Sequence, residues 1–488
     1  MVNVGPSALE QTRHLFVNNE RAQRTRYNAS TVAALFHGAT LTANGIVVSS
    51  TLPLSWPAQG RGVEFTWPQT TSPWTEPRCA VTNVTQQGAC LQASILLLLR
   101  VGCLQSSFCS LRCYAGSLVH INLQQPCWFN LLNKPCGQVA KGPPSVVENI
   151  GLAGLTQPNQ FWLDPTEHVL YYSLQPWHEP SSMDVRWPQV EVLLHAQGAS
   201  QPISNVVFEN MRFQHATWLR PGQGDGYVEQ QSGSCLVGNN PNNPNCDDDF
   251  LWMKSPGNLQ FAYARDVNLV GCEIAYMGGV GVDFGNGTHR ALVQDCYVHD
   301  ISGAGIQIGS FDTNHVTDEN LQDLNNTVNN TLITLAAVEF RGAVAVNVGY
   351  TKGTTITHNE MSNLTCKASS GPCLLSYHVL SHPVTAVPPC SDSGMSMGWG
   401  WARENDSYAA NNVIAYNRVN WLDLANESTG ASPISGLPQS IRSSRACTCL
   451  PHPWAADSQL QEGAKRWGWY LHAGYERVAA PIKLGCTS

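Results

Sequence analysis

Three acidic residues in the middle of the chain have positions that suit acid–base chemistry. Asp300, Glu339 and Asp392 each stand just before a segment in which small and apolar residues alternate. If these segments stack as neighbouring strands, adjacent carboxyl groups would lie about 5 Å apart. Two like charges at that distance raise the pKa of at least one group, which suits a general acid. We expect Glu339 to be the acid–base residue, with Asp283 or Asp300 as its partner.

The same acids also have a structural explanation. Aspartate often caps turns through hydrogen bonds between its side chain and the backbone, and this explanation is the more frequent one for residues such as Asp300 and Asp392. Glu339 differs because it stands in an apolar stretch, two residues before Arg341. A guanidinium there could hold a carboxylate or a sugar hydroxyl.

Two tryptophans are candidates for sugar binding. Trp399 and Trp401 are two residues apart, so they share one face of a strand. An aromatic ring stacks against the apolar C–H face of a sugar while polar groups bind its hydroxyls. The alternative is that both rings pack beneath a loop.

A six-residue repeat predicts the elements that would position these residues. Each copy begins and ends with an apolar residue and has small or polar residues at its centre; the copies are 208–213, 269–274, 293–298, 328–333, 356–361 and 414–419. An offset of five cannot keep both ends on one face of a flat strand, so the chain must bend between them. Asn, Asp and Gly tolerate the left-handed conformation of such a bend. Strand, bend and strand, repeated, are typical of a parallel β-helix.

A second pattern follows on successive coils, in segments 279–285, 303–309, 343–349 and 393–398. Its apolar residues alternate strictly, so they should point inward and stack from coil to coil. The residues between them, Asp283, Gln307, Asn347 and Ser396, should form an outward column. That column is either a solvated sheet face or the floor of a ligand groove, because solenoids build long binding surfaces in this way.

Composition narrows the class of protein. The chain has 488 residues, with 41 Gly, 29 Pro and only 13% charged residues, which favours a turn-rich β protein. A formal net charge of −8 and the lack of any Lys/Arg block argue against a nucleic acid partner. The apolar run 93–99 is too short to cross a membrane. We expect an accessory β-rich region at 1–200 with an insertion at 86–117, a β-helix at 201–425, and an irregular tail at 426–488.

Cysteines and glycosylation motifs favour a secreted protein, although no signal peptide is visible after Met1. There are 17 cysteines. Sequons of the form Asn-x-Ser/Thr begin at Asn28, Asn83, Asn286, Asn325, Asn329, Asn363, Asn405 and Asn426. Cys235 and Cys246 could close a loop as a disulfide, whereas Cys272 and Cys296 fall at equivalent repeat positions and should be stacked inward thiols. No cofactor is expected; the acidic run 247–249 is more typical of a solvated turn than of a calcium site.

Read as a whole, the chain resembles carbohydrate-active right-handed β-helix proteins of the pectate-lyase-like group, which include glycoside hydrolases of fucosides and plant cell-wall glycans. Ordered motifs over residues 13–420 carry the resemblance, from Arg13-His-Leu-Phe-Val-Asn-Asn19 and Trp74-Thr-Glu-Pro-Arg-Cys79 to Val280-Gly-Val-Asp-Phe-Gly285, Asp300-Ile-Ser-Gly-Ala-Gly-Ile-Gln-Ile-Gly309, Val338-Glu-Phe-Arg-Gly342, Val348-Gly-Tyr350 and Gly394-Met-Ser-Met-Gly-Trp-Gly-Trp401. It implies an all-β, right-handed parallel β-helix and hydrolysis of O-glycosyl bonds in a plant or algal polysaccharide. The expected substrate-binding residues are Arg341, Trp399, Trp401, Gln307, Asn347 and Tyr350.

The chain departs from this family at both ends, which implies a truncated member. Earlier sequence usually opens the helix, and later coils usually carry an Asp-Gly-Gly-Gly motif that is not found here. Acidic residues of those later coils therefore have no counterpart. Two alternatives follow: a non-catalytic polysaccharide-binding or structural β-helix, and a calcium-dependent polysaccharide lyase. Convergence of Asp283, Asp300 and Glu339 in one cleft would favour the enzyme.

Overall fold

The computed structural model describes most of the chain up to residue 364 and selected segments beyond it. The described residues are 2–3, 12–50, 56, 60–68, 75–88, 117–134, 140–164, 167–238, 252–311, 316–364, 376–377, 394–397, 408–420, 449–451, 469–472 and 484–486. Trp399, Trp401 and Asp392 lie outside them, as do Cys246 and the acidic run 247–249.

Three parallel sheets wind along one axis, as the repeat predicts. Sheet 1 contains Leu194–Gln197, Gly257–Ala262, Val280–Gly285, Ile306–Ile308, Val346–Val348, Met395–Met397 and Ser376–Tyr377. Sheet 2 contains Ile203–Glu209, Ala264–Val270, Leu292–Gln294, Thr327–Asn329, Thr355–Thr357, Asn412–Ala415 and Trp469–His472. Sheet 3 contains Arg212–Gln214, Glu273–Met277, Tyr297–Ile301, Leu332–Thr334, Glu360–Ser362 and Arg418–Asn420.

Like-numbered residues of successive coils lie directly above one another. In sheet 1, Val282 pairs in register with Ile306, which pairs with Val346. All three side chains are fully buried in a single apolar cluster that runs through the coils. The predicted all-β, parallel β-helix fold is therefore confirmed. The first coil begins at Leu194, slightly before the expected boundary at 201.

The bend in each six-residue repeat falls on its third residue. In all six copies this residue is left-handed, with φ between 48° and 62°; the six are Asn210, Gly271, Asp295, Asn330, His358 and Tyr416. Gly and Asn tolerate the left-handed backbone conformation, but this preference does not explain its presence at His358 and Tyr416. These two occupy adjacent coils, and their rings stack at 5.0 Å between centroids.

The fourth repeat position carries hydrogen bonds from one coil to the next. The Oδ1 atom of Asn359 accepts the Thr331 N–H at 2.9 Å. Cys296 has the same role two coils earlier, since its Sγ accepts the Cys272 N–H at 3.4 Å. Both cysteines are free and buried, which confirms the prediction of inward thiols.

The accessory region is built on mainly antiparallel sheets, although Gln160–Asp164 pairs in parallel with Gln23–Arg24. Six strands form the largest sheet: Thr40–Thr42, Gly45–Ser50, Glu64–Thr66, Arg78–Gly88, Ser117–Leu123 and Val146–Glu148. A second sheet joins Val2–Asn3, Gln23–Arg24, Gln160–Asp164 and Val169–Tyr172, and a third joins Phe16–Val17, Glu20–Arg21 and Val185–Arg186. Helices span Ala29–Leu35 and Cys127–Leu132, with 3₁₀ turns at Leu152–Gly154, Arg220–Gly222 and Glu319–Leu321. In the tail, Cys449–Pro451 pairs with Leu484–Cys486.

Cysteine pairing differs from one expectation. A disulfide joins Cys79 to Cys127 in the accessory region. Cys235 is a buried free thiol, so the predicted bridge to Cys246 is wrong.

None of the described helices is long and apolar enough to cross a bilayer.

Adjacent residues of sheet 3 allow a test of the coil register. Ile333 is fully buried and lies in register between Val298 and Met361, whereas its neighbour Leu332 is 38% exposed. We expect Ile333→Ala to lower the free energy of unfolding by about 2–5 kcal/mol, because it leaves a cavity in the core. Leu332→Ala should lower it by less than about 1 kcal/mol. Urea titration measures both, and similar losses would contradict the register.

Candidate functional site

Glu339 lies where the β-helix meets the accessory region. It belongs to the connection between the strands Leu332–Thr334 and Val346–Val348. One carboxylate oxygen accepts a hydrogen bond from Arg13 Nη2, and the other lies 2.9 Å from His14 Nε2. Arg78 Nη2 donates to the Glu339 backbone carbonyl at 2.7 Å. The Glu339 side chain is 15% exposed, so a small part of it reaches solvent.

Asp300 joins the same group of residues through Ser302. Arg21 donates from Nε to Asp300 Oδ1 at 2.6 Å and from Nη1 to Ser302 Oγ at 2.9 Å. Ser302 Oγ lies 3.4 Å from His14 Nε2, the nitrogen that also contacts Glu339. We call this set the Glu339 cluster; it consists of Arg13, His14, Arg21, Arg78, Asp300, Ser302 and Glu339.

The two acids are linked but they do not stack. The Glu339 N–H donates to the Ser302 carbonyl, so Glu339 lies over Ser302. Leu335 follows Thr334, the register partner of His299, and therefore occupies the position above Asp300. The prediction that Asp300 and Glu339 form one vertical file is wrong, because the connection after Leu335 leaves the strand path.

Electrostatics in the cluster favour the ionised form of Glu339. Burial by itself raises the pKa of this carboxyl, but Arg13, His14 and Arg78 outweigh burial and hold the pKa well below its ordinary value. The sequence predicts a raised pKa for at least one of the clustered acids, and at Glu339 the pKa is lowered instead. Burial lowers the pKa of His14 to about 4, in opposition to the nearby Glu339 carboxylate.

A second layer of buried charges holds these arginines in place. Arg24 contacts Glu64 and Glu148, and Arg13 also binds Glu64. Arg78 binds Glu148 at 3.1 Å and Glu76 at 2.9 Å. Arginines thus alternate with carboxylates from the accessory region to the β-helix, which fixes the positions of both.

Arg341 lies at the edge of this network. Its Nε is 3.8 Å from Glu76 Oε2, and its side chain is 39% exposed. The side chain of Arg341 is more exposed than those of Arg13, Arg21, Arg24 and Arg78. A role for Arg341 in ligand binding stays a prediction.

Asp283 has a different set of partners from Glu339. Lys254 Nζ lies 2.6 Å from Asp283 Oδ1 and also donates to the Gly309 carbonyl at 2.6 Å. Burial raises the pKa of Asp283, partly offset by Lys254. Residues 219–256 form an insertion between the strands Arg212–Gln214 and Gly257–Ala262. Lys254 ends a three-stranded sheet within this insertion, formed by Val228–Gln231, Ser234–Leu236 and Trp252–Lys254. We call it the cover sheet.

The cover sheet closes the outward column of sheet 1. Gln307 donates to the Ser255 carbonyl at 2.8 Å, and Asn347 donates to the Ser232 carbonyl at 2.9 Å. Both amides are buried, as is Ser396. Tyr350 is also buried, in the apolar core shared with the accessory region. The predictions of an open groove or a solvated face at this column are both wrong, because an insertion covers it.

The sequence prediction missed the basic half of the Glu339 cluster. Arg13 and His14 begin one of the motifs that carry the family resemblance, and Arg78 lies in another. Their place in these motifs was the available signal. Because they are far from Glu339 in the sequence, the sequence does not predict that they contact it. No group of three or more His, Cys, Asp or Glu within the described ranges could hold a metal ion.

Comparison with known proteins supports the class of fold. No family model matches the chain, and no curated protein does. Among solved structures it is similar to a protein titled "Glycoside hydrolase", with a TM-score of 0.60 and 20% identity over 83% of this chain. The match covers 64% of that protein, so this chain spans less than two thirds of its length. The class defined by fold is a parallel β-helix protein with an accessory β domain.

The buried carboxylates predict acid sensitivity. Burial alone would raise the pKa of Glu64, but Arg13 and Arg24 lower it from 4.5 to about 2. Since the folded-state pKa is depressed, its stabilisation is complete above pH 4.5 and is lost as the pH falls towards about 2. We expect Glu64 to account for about 3 kcal/mol of this loss.

Urea titrations of the wild type and of Glu64→Gln at about pH 7 and about pH 3 measure this effect. The Glu64→Gln protein should be less stable at neutral pH and should lose less stability on acidification. Glu209→Gln, at an exposed position, is the control and should follow the wild type. Equal pH dependence of wild type and Glu64→Gln would contradict the assignment.

Proposed function

We propose that this protein is a carbohydrate-active β-helix protein that hydrolyses O-glycosyl bonds of a polysaccharide. The observation that carries the proposal is the Glu339 cluster, in which two carboxylates, a histidine and a serine meet on one side of a β-helix whose fold resembles that of a glycoside hydrolase. Asp283 lies beneath the cover sheet, so the proposed catalytic acids are Glu339 and Asp300.

Charge determines what Glu339 can contribute. Glycoside hydrolysis needs one carboxylic acid to protonate the leaving oxygen and one carboxylate to act as nucleophile or base. The arginines keep Glu339 ionised, so it suits the carboxylate role, and it would stabilise positive charge that develops on the sugar. The proton donor must then be a second group, and Asp300 is the acid linked to Glu339 through Ser302 and His14. Because Arg21 pairs with Asp300, this role requires Asp300 to release that ion pair when it carries the proton.

A non-catalytic polysaccharide-binding protein is the second candidate. Both acids of the cluster accept hydrogen bonds from arginines, an arrangement that also serves to join two domains. Side chains that merely bind a sugar need no proton donor. This candidate applies if the Glu339 cluster only joins the two regions and the polysaccharide binds at another place on the coils.

Two further observations concern the compartment in which the protein works. The Cys79–Cys127 disulfide is typical of an oxidising compartment. Two of the sequons, at Asn286 and Asn325, lie at exposed bends where a glycan has room. We propose a secreted protein on these grounds.

Removal of the Glu339 charge tests the catalytic proposal. We expect Glu339→Gln to reduce hydrolysis by at least about 100-fold, because the amide keeps the shape of the side chain but cannot act as a nucleophile or base. The assay is release of reducing ends from a panel of plant cell-wall and algal polysaccharides. Near-ultraviolet circular dichroism checks that the variant is folded.

Glu209→Gln is the matched control, since it removes one carboxylate at an exposed position on sheet 2. It should retain full activity. Unchanged turnover in a folded Glu339→Gln protein would remove Glu339 from the active site. A wild type that binds polysaccharide without releasing reducing ends would favour the second candidate.

A further inference from the structure

A group of stacked rings covers part of the outer face of sheet 3. The His215 and Tyr276 rings lie 4.8 Å apart at an interplanar angle of 10°. The Tyr297 and His299 rings lie 4.2 Å apart at 22°, and Tyr276 meets His299 edge-on at 5.3 Å. We call these four residues the ring cluster. None of them belongs to the six residues that the sequence assigns to substrate binding.

Backbone geometry explains why the rings gather on this face. Tyr297 and His299 flank Val298, whose side chain is fully buried in the core, so both must point outward. His215 and Tyr276 are left-handed, with φ of 66° and 59°; His215 directly follows the strand Arg212–Gln214, and Tyr276 is the fourth residue of the next strand, Glu273–Met277. Strand alternation and this bend bring four rings from three coils together.

Two sets of contacts hold the ring cluster in place. Phe16 of the accessory region is fully buried and meets His215 and Tyr276 edge-on, at 5.1 Å and 5.3 Å. His299 Nε2 lies 3.1 Å from Glu273 Oε1. Rings that are already fixed lose little conformational entropy when a ligand binds.

The ring cluster is continuous with the Glu339 cluster. The Arg21 guanidinium lies 4.9 Å from the centre of the Phe16 ring, and the same arginine binds Asp300. Asp300 follows His299 directly in the chain. A long ligand on the rings would therefore extend towards the proposed catalytic acids.

Exposure and charge indicate what kind of ligand fits. Tyr297 is 41% exposed, and its register partner on the next coil, Leu332, is 38% exposed. Charged side chains beside the rings are paired: Arg212 lies 3.0 Å from Glu273, and Arg186 lies 2.6 Å from Asp184. Flat apolar faces bordered by balanced charges suit an uncharged sugar better than a uronate or sulfate.

We propose that the outer face of sheet 3 is a binding site for an uncharged polysaccharide chain, in which the Tyr297 ring stacks on a sugar. Glu273 and Arg212 lie where they can accept from and donate to the sugar hydroxyls. This inference rests on the proposed function, because it assigns the class of substrate. It concerns binding alone and needs no catalytic step.

Affinity electrophoresis of the full chain tests the site. The probes are hydroxyethyl cellulose, galactomannan and arabinoxylan as uncharged polysaccharides, with polygalacturonate and alginate as acidic ones. We expect at least one uncharged probe to retard the wild type, and Tyr297→Ala to weaken that binding about tenfold. Tyr297→Phe should bind nearly as well as the wild type, because it retains the ring.

Tyr416→Ala is the matched control. Tyr416 is 59% exposed and stacks on His358, but it belongs to the bend between sheets 2 and 3, outside the ring cluster. It should bind like the wild type. Equal loss in Tyr416→Ala, no loss in a folded Tyr297→Ala, preference for acidic probes, or no retardation by any probe would each overturn the site.

The same measurement separates this inference from the proposed hydrolysis. Glu339→Gln should still be retarded by the uncharged probe although it releases no reducing ends. If the wild type binds but does not hydrolyse, the catalytic proposal fails and the binding site stands. If it hydrolyses but Tyr297→Ala is unaffected in binding, the binding site fails and the catalytic proposal stands.

Discussion

The left-handed residue at the centre of each repeat is the constraint on which the rest of the structure depends. It turns sheet 2 into sheet 3 after a fixed number of residues, so that the apolar residues on both sides of the bend face the same interior. Because the bend occurs at the same place in every coil, each side chain lies above its counterpart. Vertical files of Val and Ile, of Cys and Asn, and of aromatic rings all follow from this register.

The contact between the accessory region and the β-helix contains buried ion pairs as well as apolar side chains. Arg13, Arg24 and Arg78 are all buried, and each is paired with carboxylates. A buried ion pair contributes little net stability compared with apolar packing, yet removal of one partner is costly. The network therefore specifies how the two parts fit together. It also places Glu339 at their border with its charge retained.

The outer faces of sheet 1 and sheet 3 therefore differ in what covers them. On sheet 1 the insertion that forms the cover sheet bonds to Gln307 and Asn347, and no ligand can lie on these residues while it does so. On sheet 3 the accessory region packs Phe16 against His215 and Tyr276 and leaves Tyr297 41% exposed. On the covered face the Gln307 and Asn347 amide groups donate to protein carbonyls, whereas the open face presents rings. For that reason we place the sugar-binding surface on sheet 3.

The sequence by itself determined the coils, because period and residue type are local properties: the five-residue offset requires a bend, and alternation fixes which side chains face inward. It also identified the stacked thiols Cys272 and Cys296 and named Glu339 as the acid of greatest interest. It could not determine the partners of that acid. Arg13 and His14 are more than three hundred residues away in the chain, and no local pattern encodes which arginine will meet which carboxylate. Only the tertiary structure decided that Glu339 stays ionised, that Asp283 is separated from it, and that an insertion covers the sheet 1 column, since each depends on contacts between distant segments.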